Sequence, residues 1–194
     1  MPEVNITLVN GTPGEKVVKA TLLELMQNFD LSRWAWVRDV RIDRYLPTLG
    51  QCFREDGQFV IRLRSVRPTS LEQRVLTDFE AWGLLRVYIH EQLHAYLELK
   101  TRETEAAVQE LRGLYPNVPV GGEEGARSEF STYLHLVLCT LELDSLSSLI
   151  GEDAARKLMT DRPFYRFIYG TVLRDTDVLR ALIRRHELDL PLTS

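Results

Sequence analysis

The chain holds four histidines, and two of them stand four residues apart in His90-Glu91-Gln92-Leu93-His94. On an α-helix that spacing puts both imidazoles on one face, a turn apart, where they can bind a single cation. Glu91 is rotated by about 100° from His90, so it stands beside the ion and not on it. From there a carboxylate can hydrogen-bond a water in an open metal position and take its proton. Two nitrogen ligands, a polarised water and a carboxylate base are the parts of metal-assisted hydrolysis. The competing reading is a solvent-facing stripe of histidine and glutamate on an amphipathic helix. Ile89 and Leu93 lie close enough to that face to draw it inward.

The elements around the motif must make such a helix and supply what it lacks. Leu84 to Lys100 contains no proline or glycine and is apolar on both sides of the motif. That is the pattern of a core helix, and polar groups in its middle are costly to bury without a partner. Ser70 with Gln73 and Thr77 with Glu80 both fit capping boxes for its start. Zinc in a hydrolytic site takes three protein ligands and a water. The candidate for the third is His135, inside the strongly apolar run from Tyr133 to Glu142. Glu142, two turns further and nearly in line, can bind the ion or orient the histidine. Glu129 is the other carboxylate candidate, otherwise a first-turn residue facing water. Cys139 reads as a buried thiol. His186, among Arg184, Arg185 and Glu187, reads as a helix cap or a solvent-facing residue.

Residues 3–9 alternate as a half-buried strand closed by Asn10-Gly11-Thr12-Pro13-Gly14, and 15–28 are helical. Trp34 to Arg44 reads as extended, with Trp34, Trp36 and Tyr45 as core aromatics. Residues 45–66 read as a hairpin turning at Glu55-Asp56-Gly57-Gln58. From Pro68 the pattern is helical: the motif helix to about Lys100, then 102–112, about 124–149, 152–159, 163–172 and about 176–187, with a loop at Tyr115–Gly122. The fold class expected is α+β: a small, mostly antiparallel sheet followed by a helical half, in a single domain 1–194 with parts 1–67 and 68–194.

A small antiparallel sheet, then a helix carrying HExxH, then a second long helix offering a ligand, resembles the zincin superfamily of metallopeptidases over residues 36–145. The extended metzincin signature is absent, since Leu97 and Lys100 stand where it has glycine and histidine. Ser128-Glu129-Phe130-Ser131-Thr132-Tyr133 matches the gluzincin motif only loosely. The resemblance implies one zinc per chain held by His90, His94 and His135, Glu91 as general base, and a peptide or protein substrate laid along an edge strand. Phe59–Arg64 is the expected edge. There Arg62 and Arg64 either favour acidic substrates or keep the edge soluble. The alternative is a zincin-fold metal-binding or interaction protein without turnover, with a protein partner of unknown identity.

Length and composition allow this reading: 194 residues suffice for a core, and the net charge of −4 argues against a general nucleic-acid binder. The arginines of residues 33–74 are interspersed with Asp39, Asp43, Glu55, Asp56 and Glu72, which weakens any nucleic-acid patch. Cys52 and Cys139 read as free thiols of a reducing compartment. The start lacks a signal-peptide pattern and no apolar run approaches membrane-spanning length; the expectation is a cytoplasmic protein with no membrane contact.

Overall fold

A computed structural model describes residues 4–65, 76–160 and 162–190. Among the described residues are four strands and seven α-helices, a mostly helical α+β architecture. The Ser70–Gln73 pairing lies outside the described residues. Contacts group the chain into two compact units, Met1–Ala95 and Tyr96–Ser194, a division that falls inside one helix.

In the first unit β1 (Asn5–Leu8) leads into α1 (Pro13–Asn28). Thr12 caps α1 in a capping box with Glu15, and Pro13 supplies the preset φ of a first helical residue. Val18, Leu22 and Leu25 recur at helical spacing and are buried. A 3₁₀ turn, Ser32–Trp34, interrupts the expected extended stretch, and β2 occupies Asp39–Asp43. Trp34 is a core residue as expected, whereas Tyr45 is 73 % exposed with the Arg44 guanidinium near its ring.

β3 (Gly50–Glu55) and β4 (Gln58–Arg64) form the expected hairpin. Its loop, Asp56-Gly57, has φ of 49° and 80°, the two positive values a tight two-residue turn needs. The sheet order is β1-β2-β4-β3. β1 pairs with β2 and β2 with β4 in parallel, so the sheet is mixed and not mostly antiparallel. α1 makes β1 and β2 parallel, since a helical crossover returns the chain in the same direction; β2 and β4 are parallel because β3 takes the outer position and the returning strand of the hairpin lies beside β2. The edge assignment is also corrected: β4 is interior, and β1 and β3 are the edges. Val60, Ile61 and Leu63 are buried along β4, the near-continuous apolar run of a strand covered on both faces. β3 is largely open to solvent. Arg62 lies over Phe53, Arg54 over Phe59, and Arg41 bridges Asp39 and Glu55. These arginines are spent on stacking and ion pairs within the sheet.

α2 (Asp78–Leu99) starts at the second capping box: Thr77 N–H donates to Glu80 Oε2 at 3.0 Å, and Glu80 N–H to Thr77 Oγ1 at 3.3 Å. It ends at Leu99, Lys100 is the N-cap residue of α3 (Thr101–Leu114), and α3 continues through Gly113. α4 (Glu129–Ile150) starts later than the expected 124, because Gly121 and Gly122 hold left-handed φ and Ser128 provides the cap, accepting from Ser131 N–H. Glu123 and Glu124 therefore lie in a loop. α5 (Glu152–Met159), α6 (Arg166–Arg174) and α7 (Thr176–Arg185) complete the second unit.

α4 packs against α3, α5, α6 and α7. It is 22 residues long, and its most apolar 18-residue window has a mean hydropathy of 1.3; by length and composition alone it could cross a membrane, which corrects the expectation that no segment approaches that length. The most apolar window is 67 % buried within the fold, as a helix surrounded by others requires.

Candidate metal centre

α2 is buried on nearly every side from Leu85 to Leu97. Tyr88, Ile89, Gln92 and Leu93 have no exposed surface. His90 and His94 are the half-buried exceptions in this run. Their rings are 5.0 Å apart, edge to face at 75°. One nitrogen of each lies within 4.8 Å of the other, so modest ring rotations bring both onto one ion. The stripe is therefore set into a core helix and is not a solvated face.

Glu91 is 5 % exposed, and the first residue of edge strand β3 runs against it. A Cβ on Gly50 would lie 2.5 Å from Glu91 Oε1 and 2.7 Å from Val87 Cγ1. The carboxylate occupies the space a side chain at residue 50 would fill. An isolated glycine in a strand often marks such a close approach, so Gly50 is itself a sequence signal for this contact.

Gln92, a variable position of the motif, anchors the helix from its far side. Its Nε2 donates to Val37 O and its Oε1 accepts from Val37 N–H, each at 2.8 Å. The side chain thus pairs with buried backbone as a neighbouring strand would. Tyr88, one turn earlier, has its hydroxyl pKa pushed up to about 12 by burial.

The remaining candidates lie on α4, in the second unit. His135 is 5 % exposed, and its Nδ1–H donates to the Ser131 carbonyl at 2.6 Å. A carbonyl can only accept, so the proton is on Nδ1 and the lone pair on Nε2. A backbone carbonyl that fixes the tautomer in this way is also the usual partner of a metal-binding histidine. The ring of Tyr165, at the start of α6, lies 4.8 Å from the imidazole. Cys139 and Glu142 have no exposed surface and each offers a ligand atom within 4.8 Å of the other. Glu129 is exposed and pairs with Arg112 at 3.7 Å, which fits the surface reading of that residue. His186 caps α7, and its Nε2 meets Glu110 Oε2 at 2.7 Å. Ser131 is one turn from His135 and was within reach of sequence reasoning; nothing in the sequence pointed to Tyr165.

The donor set suits a borderline cation such as zinc: imidazole nitrogens with a carboxylate beside them. No protein-family model matches the chain, and no curated protein or solved structure matches it significantly. The functional reading stands on the residues themselves.

Proposed function

We propose that the chain is a zinc-dependent metallohydrolase of zincin type, acting on peptide or protein substrates in the cytoplasm. The carrying observation is the pair His90 and His94 on successive turns of a buried helix, with the Glu91 carboxylate set between that helix and an edge strand. His90, His94 and His135 would hold the ion, His135 through Nε2. The metal would supply a Lewis acid that polarises the scissile carbonyl and the water. Glu91 would be the general base beside the ion, the group placed to accept a proton from water and pass it to the leaving amine. The missing side chain at Gly50 leaves the space that the carboxylate fills. β3, an edge strand of the described sheet that begins at Gly50, would be the strand beside which an extended peptide adds. Neither Cys52 nor Cys139 is in a disulfide, in keeping with a reducing compartment.

Metal analysis of purified chain tests this. About one zinc per chain is expected, lost in His90→Ala and His94→Ala. Glu91→Gln keeps the zinc and lowers peptide hydrolysis by about 10²–10⁴-fold. Stoichiometric zinc with no hydrolysis across broad peptide libraries would replace this reading with metal binding without turnover. Absence of zinc after gentle purification would end both.

A further inference from the structure

Tyr165 has φ 61° and ψ 33°, a left-handed backbone that bulky residues rarely adopt. No glycine or asparagine fills the position, so the surroundings over-determine it. The next residue is pinned twice, by Arg166 N–H to Glu123 O at 3.0 Å and by the Arg166–Glu123 ion pair at 2.8 Å. Tyr165 O accepts the first bond of α6, from Tyr169 N–H at 2.9 Å. This backbone sends the half-buried ring onto the imidazole of His135, centroids 4.8 Å apart and planes tilted by 60°. His135 is therefore held in two ways: a carbonyl of its own helix orients Nδ1, and an aromatic face from another helix limits rotation of the ring.

We propose that Tyr165 is a positioning residue for a metal ligand, its strained backbone serving to press its ring on His135 and fix where Nε2 points. This rests on the assignment of His135 as a zinc ligand. Strain retained at an aromatic residue beside a buried histidine has a purpose if that histidine must keep one orientation. A packing role alone would be met by a relaxed residue.

The test compares the full-length wild type with Tyr165→Phe, Tyr165→Gly and Tyr165→Asn. Glycine and asparagine both tolerate the left-handed backbone and lack the ring. Three readouts are taken: zinc affinity by competition with a chromophoric chelator, the visible spectrum of the cobalt-loaded chain, and the thermal midpoint of the metal-free chain. Tyr165→Phe should bind zinc within about twofold of wild type. The two ring-less variants should bind about tenfold more weakly, in the range seen when a group that orients a ligand is lost, and change the cobalt spectrum. The metal-free midpoint of Tyr165→Gly should stay at or above that of wild type. Zinc-loaded wild type with ring-less variants matching it in affinity and spectrum overturns this inference and leaves the metal centre intact. A wild type that takes up no zinc overturns both.

Discussion

At Gly50 a missing side chain does the positioning. Glu91 Oε1 and Val87 Cγ1 fill the space where a Cβ would stand, so any larger residue must displace the base. The three atoms nearest that point belong to Glu91 and Val87, and none to His90 or His94. Gly50→Ala should therefore keep its zinc and lose about 10–100-fold in kcat, the penalty of misplacing a catalytic group by about 1 Å. Metal content and peptide hydrolysis measured on one preparation would check it. Unchanged kcat would mean that the carboxylate is not the working base.

Among elements, α2 is held by more than apolar packing. The Gln92–Val37 pair joins the helix to the segment entering β2 through two buried hydrogen bonds. Gln92→Leu keeps the approximate volume and strands a buried N–H and a buried C=O. The expected loss is about 3 kcal/mol, read as a lower urea midpoint at unchanged slope. A loss under about 0.5 kcal/mol would show that the pair is dispensable. Helices and the hairpin were legible in the chain, because capping boxes, the Asp56-Gly57 turn and 3.6-residue periodicity are local signals. Strand order was not. Whether β3 or β4 joins β2 depends on burial of both faces of β4, which its neighbours decide.

For the whole molecule, ionisable groups bound the pH range of stability. Burial pushes the Glu15 carboxyl up. Hydrogen bonds from the Asn10 side chain and from the backbone N–H groups of Arg44, Asn10 and Thr12 outweigh this and hold it below its usual value. Asp175 is held low by hydrogen bonds from Arg174 and Tyr115, against its desolvation, and Glu110 by Arg185 and His186. Depressed carboxyls stabilise the fold above the unfolded-state pKa, and that contribution is lost as pH falls through the folded value. At the other limit, burial raises Tyr88, Tyr96 and Tyr115 to about 12. A raised tyrosine contributes fully below about pH 10 and loses its contribution as pH climbs through 12. Thermal midpoints should be level between about pH 5 and pH 10, and fall on both sides. Tyr88→Phe should flatten part of the alkaline fall; a midpoint indifferent to pH between 10 and 12 would contradict the burial of these hydroxyls.

The residue order alone determined that two imidazoles and a carboxylate share one helix, that this helix is a core element, and where most helices begin and end. These follow from spacings within a few residues, set by helix geometry and capping. Tertiary structure decided that β3 is an edge beside Glu91, that Gln92 is an anchor, that His135 donates from Nδ1 to a helical carbonyl, and that Tyr165 lies on its ring. Except for the carbonyl of Ser131, one turn away, these contacts join residues far apart in the chain. Which distant groups meet is settled by packing, and local sequence carries no record of it.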